Sequence, residues 1–166
     1  MQELKFNPQS PKKFDKTLEA LASYLGIVST DAVHLKFSRP STFTPEPQYC
    51  HFNVWCQMRS EGGAPQPGWV FAQDKNMEFA EAIFHAVWRA PDGRLVDVTP
   101  RKDLEKRLLF VPDARRAIVL TSHEGQPAIH TFQNVRVFRG RVVTPLTEFI
   151  AVMADDFPQR QGLWPW

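Results

Sequence analysis

The segment from residue 82 to residue 99 constrains the fold more than any other part of the sequence. Residues 82–89 are apolar and rich in strand-forming side chains, and residues 94–99 can return as a second strand. Between them, Ala90-Pro91-Asp92-Gly93 is a strong turn signal. The chain is therefore predicted to contain an antiparallel hairpin, and its fold has to include a sheet.

Two helices are predicted before this hairpin. Apolar residues recur at helical spacing from Asp15 to Leu25, and Gly26 can close that helix. A second helix, of about three turns, is predicted to begin near Cys50 and to stop at Gly62-Gly63. One face of this second helix collects Phe52, Trp55, Cys56 and Arg59.

Shorter segments complete the pattern. Strands are predicted at residues 32–37, 68–73, 117–121, 129–132 and 135–139. Proline-rich loops are predicted at residues 38–47 and 64–67, and a basic helical or turn segment at residues 101–107. Thr144 with Pro145 predicts a last helix, with Leu146, Phe149, Ile150 and Met153 on one face. This order of elements predicts an α+β fold.

The composition narrows the classes of protein. The 166 residues, 43% hydrophobic and 23% charged, fit one globular domain over residues 1–166, with residues 1–13 as a flexible leading arm. A net charge of +2 is too even to indicate nucleic-acid or membrane binding from charge alone. The sequence lacks both an apolar run of roughly 18 residues and a signal-peptide pattern. We therefore expect a cytoplasmic protein, although signal-independent secretion is equally compatible, and we leave its oligomeric state open.

The two cysteines differ in their predicted positions. Cys50 and Cys56 lie six positions apart in the predicted second helix, where a disulfide between them would need unusual backbone geometry. Both are therefore expected to be free thiols. Cys50 stands at the helix start, where unpaired N–H groups and the helix dipole favour a thiolate. Cys56 lies nearly two turns further along, and it is expected to be a core residue.

A histidine and an aspartate in the hairpin can complete a nucleophilic site. His85 lies in the first strand and Asp97 in the second, so the pair supplies a base and an acceptor that fixes its tautomer. If the turn occupies residues 90–93, however, His85 falls opposite Val98 and not Asp97. A bulge or a longer turn is needed to bring both side chains to one face.

The motifs around these residues resemble a known family. His85-Ala86-Val87-Trp88 and Asp97-Val98-Thr99-Pro100, following Cys50 on a helix, resemble the transglutaminase-like branch of the papain-like cysteine hydrolases. The resemblance covers residues 49–100. It implies a papain-like fold with the nucleophile helix packed on an antiparallel sheet, and a Cys50-His85-Asp97 triad acting on a protein or peptide amide by hydrolysis or acyl transfer. No cofactor is expected.

A second, narrower resemblance concerns the nucleophile helix. Cys50-His51-Phe52-Asn53-Val54-Trp55 is similar to the segment around the nucleophile of protein N-terminal glutamine amidases. In those amidases acidic residues follow the cysteine, whereas His51 and Phe52 stand here. The resemblance therefore extends to the triad and not to the substrate.

Other residues are expected around the site. The backbone N–H of Cys50 is one expected oxyanion donor, and the papain-like resemblance suggests the side chain of Gln48 as the second. Asn53 is expected to bond the adjoining loop more than the substrate. Trp69 is expected either to wall the cleft or to be a core aromatic.

Two alternatives remain open at this stage. Cys50, His51, Cys56 and His85 supply ligand types that zinc prefers, although Cys-x5-Cys matches no common zinc knuckle. The chain can also be a non-catalytic interaction module that docks an acidic partner through its basic C-terminal half. The residues in question are Arg101, Lys102, Lys106, Arg107, Arg115, Arg116, Arg136, Arg139 and Arg141.

Overall fold

The computed structural model describes residues 4–103 and 105–165. Its helices are α1 (Lys16–Leu25), α2 (Cys50–Glu61) and the short α3 (Phe157–Arg160), with a 3-10 turn at Ser29–Asp31. The first five strands are β1 (Val33–Leu35), β2 (Ala64–Asp74), β3 (Phe79–Arg89), β4 (Leu95–Val96) and β5 (Leu108–Pro112). The remaining strands are β6 (Val119–His123), β7 (Gln126–Phe132), β8 (Val135–Phe138), β9 (Arg141–Thr144) and β10 (Glu148–Val152).

Two antiparallel sheets carry the few helices. A seven-stranded sheet has the order β1-β5-β2-β3-β8-β9, with β4 also paired to β3, and a three-stranded sheet has the order β10-β7-β6. The fold is α+β, which confirms the predicted class.

Strand β3 positions the candidate site. One flank pairs with β2 from Ala64↔Arg89 to Asp74↔Phe79. The other flank pairs with β8 at residues 79–82 and with β4 at residues 88–89. Among the described residues, no strand pairs with residues 83–87 on that second flank, so the middle of β3 is open there. His85 lies at the centre of this opening.

Helix α1 forms the first core layer. Asp15 caps it, because its carboxylate accepts a hydrogen bond from the Leu18 N–H at 3.1 Å. Gly26 ends it in the left-handed conformation, with φ of 71°. The fully buried leucines of α1 pack with Trp69, Phe71 and Phe84, and each buried leucine stabilises the fold by about 2 kcal/mol. The predicted first helix is confirmed.

Helix α2 packs on the end of β3 that carries Trp88. Cys50 and Val54 lie in one buried cluster with Ala86 and Trp88, and the Trp88 indole N–H donates to the Gly62 carbonyl at 2.9 Å. A side chain at Gly63 would place its Cβ 2.3 Å from the Arg89 carbonyl oxygen, so only glycine allows this close approach. The predicted start and end of the helix are confirmed.

The predicted apolar face of α2 is partly wrong. Phe52 and Cys56 are buried, but Trp55 and Arg59 are exposed. Five consecutive residues at the start of α2, Cys50 to Val54, are all buried, so the protein surrounds this part of the helix on more than one face. A single apolar stripe therefore does not describe this helix.

The predicted loop at residues 64–67 is wrong, because β2 already begins at Ala64. The Asp113 N–H donates to the Pro67 carbonyl at 2.9 Å, which places the polar backbone groups of Pro67 on the flank away from β3. Pro65, two residues earlier, has the same orientation. Since a proline nitrogen facing away from the paired strand removes no ladder hydrogen bond, both prolines fit the strand.

The predicted last helix from Thr144 is also wrong. Residues 141–144 form β9, and Glu148–Val152 form β10, which pairs with β7 in the register Ile150↔His130. Pairing with β7 overrides the helical spacing of these apolar residues. The only helix in the described part of this region is α3, and residues 101–103 and 105–107 form no helix either.

Strand β5 was not predicted, although its sequence Leu-Leu-Phe-Val-Pro is the continuous apolar run of a strand buried on both faces. It lies between β1 and β2. Residues 4–13 of the predicted leading arm contact the large sheet, while residues 1–3 lie outside the described residues. Phe6 stacks on Phe79 with ring centroids 4.4 Å apart, and Gln9 pairs with Gln73.

Candidate active site

The structure places Cys50 at the first residue of α2, as the sequence predicted. The residue is 6% exposed, and its thiol is free, like that of Cys56. The first-turn N–H groups of a helix favour a negative charge at this position. Cys50 therefore has the backbone setting of a stabilised thiolate.

His85 and Asp97 form a buried pair. The His85 Nε2 lies 3.1 Å from the Asp97 Oδ1, and Asp97 is fully buried. The Thr99 N–H also donates to Asp97 Oδ1, at 3.2 Å. A carboxylate held in this way fixes the tautomer of the histidine and leaves Nδ1 as the nitrogen available to a nucleophile.

The turn between β3 and β4 explains how this pair forms. Arg89 pairs with Leu95, and Trp88 pairs with Val96. The turn is therefore one residue longer than residues 90–93, and the register moves by one position. His85 and Asp97 then point to the same face of the hairpin, because side chains alternate along each strand. This is the longer turn that was predicted as one way to bring them together.

The charges of the site favour a thiolate and an imidazolium. Burial raises the pKa of the Cys50 thiol, but His51 and His85 more than offset it and bring that pKa well below its ordinary value. Burial lowers the pKa of His85, but the Cys50 thiolate and the Asp97 hydrogen bond raise it to about 10. Because the two groups interact strongly, they titrate as a pair.

His51 is a member of the site that the triad prediction omitted. The Cys50 Sγ lies 3.6 Å from the His51 Nδ1 and 3.8 Å from its Nε2. The side chain of His51 is buried, and its Nε2 lies 3.4 Å from the Thr131 Oγ1 on β7. Adjacency to Cys50 was visible in the sequence, but the contact with β7 depends on tertiary packing.

Cys50 and His85 line a cleft of about 420 Å³. Gln48 lines the same cleft and has a φ of 71°, in the left-handed region that non-glycine residues rarely adopt. The Gln48 Oε1 accepts a hydrogen bond from the Lys102 Nζ at 3.3 Å. Gln48 and Cys50 thus line the same cleft, and the role of Gln48 as an oxyanion donor stays a prediction.

Asn53 holds the loop that leads into Cys50. Its Nδ2 donates to the Glu46 carbonyl at 2.8 Å and to the Thr99 Oγ1 at 3.1 Å. Its Oδ1 accepts the Glu46 N–H at 3.1 Å. Asn53 is fully buried, so it joins the proline-rich loop, α2 and the Asp97 segment, and it does not line the cleft.

Trp69 does not wall the cleft. It is fully buried and packs on Phe84 with ring centroids 5.0 Å apart, and its indole N–H donates to the Asp113 Oδ2 at 3.1 Å. A large aromatic at the centre of β2 faces the core because α1 covers that side of the sheet. Of the two expectations for Trp69, the structure supports the core aromatic.

The four zinc-ligand candidates do not converge. Within residues 4–103 and 105–165, no group of three or more His, Cys, Asp or Glu side chains is arranged to hold a metal ion. Cys56 is separated from the cluster of Cys50, His51 and His85, and burial raises its pKa to about 11 despite the nearby Arg59. This arrangement gives the zinc alternative no support.

Much of the basic charge of the C-terminal half is paired within the chain. Arg136 contacts Glu81 at 2.8 Å, and Arg115 contacts Asp113 at 3.5 Å. Three further arginines have acidic partners: Arg101 with Asp103, Arg116 with Asp113 and Arg139 with Glu78. These pairs reduce the charge available to an acidic partner. Among the described residues no helix has the length and apolar character of a membrane span.

In comparisons with known proteins, no family model, curated protein or solved structure matches the chain.

Proposed function

We propose that this protein is a cysteine-dependent amide hydrolase or acyltransferase that uses Cys50, His85 and Asp97. The observation that carries the proposal is the 3.1 Å contact between His85 and the buried Asp97, in a cleft that Cys50 also lines. A nucleophile, a base and a group that orients the base are the three parts that nucleophilic catalysis requires.

The first half of the reaction breaks the amide. The Cys50 thiolate attacks the carbonyl carbon, and the carbonyl electrons move to oxygen. The Cys50 N–H and Gln48 are the proposed donors to this oxyanion. When the tetrahedral intermediate collapses, the C–N bond breaks and His85 Nδ1 gives its proton to the departing amine. Asp97 stabilises the imidazolium before this step.

The second half releases the acyl group. A water molecule, or an amine in the acyltransferase case, attacks the thioester while His85 Nδ1 takes up its proton. The C–S bond then breaks and restores the Cys50 thiolate. Both outcomes use the same residues, so the proposal covers hydrolysis and transamidation of a protein or peptide amide.

The proposed fold relationship is to the transglutaminase-like branch of the papain-like hydrolases. Its support is a nucleophile at the start of a helix, followed along the chain by a histidine and an aspartate from two paired strands. The helix packs on an antiparallel sheet, as that relationship implies.

Alkylation by iodoacetamide across pH tests the proposal, with the two cysteine peptides quantified separately by mass spectrometry. We expect Cys50 to react with an apparent pKa well below the ordinary value of about 8.5, while Cys56 stays unreactive. His85→Ala should return the Cys50 profile towards that ordinary value. His130→Ala, at a half-buried position on β7 where the ring contacts Glu148 and not the thiol, is the matched histidine control. An ordinary Cys50 profile in the unaltered protein would refute the proposal.

A further inference from the structure

We infer that His51 is a second cationic partner of the Cys50 thiolate, a positioning residue that acts through a contact separate from the His85–Asp97 pair. The inference rests on the proposed function, because it concerns the state of the same nucleophile. It adds a residue that neither family resemblance contains, since the amidase motif has an acidic residue where His51 stands.

The geometry indicates what kind of contact this is. The Cys50 Sγ is almost equidistant from the two His51 ring nitrogens, at 3.6 and 3.8 Å. A sulfur lying straight along one N–H would be much farther from the other nitrogen. Neither N–H therefore points directly at the sulfur, and a directed hydrogen bond requires good alignment. His51 acts on the sulfur by its charge, whereas His85 is the group that exchanges protons with it.

The surroundings of His51 favour a close electrostatic contact between the ring and the sulfur. The Thr131 Oγ1, 3.4 Å from Nε2, can accept a hydrogen bond from the ring N–H and so orients the ring beside the sulfur. The rings of Phe84 and His51 lie with their centroids 6.3 Å apart, and both Cys50 and His51 are buried. Low local polarity strengthens the attraction between the imidazolium and the thiolate.

One other charged group faces the surroundings of His51. Arg116 lines the same cleft as His51, but its guanidinium donates to the Asp113 carboxylate and to the Leu25 carbonyl. The positive charge of Arg116 is thus largely neutralised by the Asp113 carboxylate. Among the contacts described above, Cys50 is the titratable group that His51 touches directly.

His51 reaches solvent by its own route. It lines a second cleft of about 300 Å³ together with Trp55, Arg116 and Ile118, whereas Cys50 and His85 line the first cleft. A substrate that fills the first cleft therefore leaves the second route open. His51 thus borders a cleft separate from the one that Cys50 and His85 line.

The test is the pH profile of Cys50 alkylation in His51→Gln, which keeps a polar side chain of similar size without a positive charge. We expect the apparent pKa of Cys50 to rise by about one unit, which slows alkylation about tenfold below the inflection. Thr131→Val removes only the hydroxyl that orients the ring, and it should shift the profile in the same direction by less. His130→Gln on β7 is the matched control and should leave the profile unchanged.

The outcomes separate this inference from the proposed function. If His85→Ala raises the Cys50 pKa while His51→Gln and Thr131→Val leave it unchanged, the inference is overturned and the proposed function stands. If the unaltered protein already shows an ordinary Cys50 profile, the proposed function fails first. If His51→Gln does not fold, Thr131→Val decides alone, because valine is nearly isosteric with threonine and suits a strand.

Discussion

The first and second turns of α2 each carry a buried cysteine, and the pKa of the thiol shifts in opposite directions at the two positions. Cys50 and Cys56 are both buried, at 6% and 2% exposure. Burial alone raises the pKa of a thiol, and this is the outcome for Cys56, whose pKa rises to about 11. At Cys50 two histidines reverse the effect. The comparison shows that neighbouring imidazoles, and not depth in the core, separate a thiol with a lowered pKa from a thiol with a raised one.

Asp97→Asn should weaken this contrast most. Without the carboxylate, the pKa of His85 falls, and the Cys50 thiolate loses part of its partner's charge. We expect alkylation of Cys50 at neutral pH to slow by about tenfold to a hundredfold, which is one to two pKa units. Labelling of Cys56 should not change. An unchanged Cys50 rate would mean that the buried carboxylate has no influence on the nucleophile.

Asn53→Ala should show how much the hydrogen bonds between α2 and the loop before it stabilise the fold around Cys50. The substitution removes one buried and two part-buried hydrogen bonds, at a cost of about 2–3 kcal/mol in the free energy of unfolding. Urea unfolding measures this cost. Thr99→Val removes only one of the three bonds and should cost about 1 kcal/mol. Equal effects of the two substitutions would show that the bonds to Glu46 contribute nothing.

The dependence of stability on pH should reveal the ion pair itself. The unfolded chain titrates histidine near pH 6.5 and cysteine near pH 8.5, in round values. The raised pKa of His85 adds stability that is full below about pH 6.5 and is lost as the pH rises towards 10. The lowered pKa of Cys50 adds stability that is full above about pH 8.5 and is lost as the pH falls.

Between about pH 6.5 and 8.5 these two slopes cancel, so the pair gives a plateau of stability. Outside the plateau, the contribution falls by about 1.4 kcal/mol per pH unit on either side. Urea unfolding at a series of pH values measures it. Cys50→Ala should abolish the acid-side fall that Cys50 causes, and Cys56→Ala should retain it. The same acid-side slope in both variants would contradict the ion pair.

Cys56→Ala should have the smallest effect and should sharpen the contrast. The lost sulfur contacts should cost about 1 kcal/mol of unfolding free energy. The rate of Cys50 alkylation should stay as in the unaltered protein, as measured by labelling at neutral pH. A slower Cys50 rate would mean that packing at the second turn of α2 reaches the nucleophile.

The sequence was most informative where local signals and long-range pairing agree. Asp15 and Gly26 mark the ends of α1, and Cys50 and Gly62 mark those of α2. Cys50, His85 and Asp97 were chosen from the sequence, and the structure brings the latter two into contact. The need for a bulge or a longer hairpin turn also followed from the sequence, because side chains alternate between the two faces of a strand.

The sequence was least informative where a partner elsewhere in the chain decides. Ile150 has helical spacing to its apolar neighbours but lies in β10, because β7 is available to pair with it. The sequence left Trp69 open as a cleft wall or a core aromatic, and packing against α1 makes it a core residue. The role of His51 depends on Thr131, 80 positions away, and no local pattern contains that distance.

The two prolines at the start of β2 also limit how an occupant can bind near His51. Pro65 and Pro67 border the second cleft, and their nitrogens face away from β3 without a hydrogen to donate. An extended peptide that joins the sheet along this segment finds no backbone donor at these two positions, and the Pro67 carbonyl already accepts the Asp113 N–H. Strand addition is therefore disfavoured along this segment, and side chains such as those of Trp55 and Ile118 are the groups that this cleft presents.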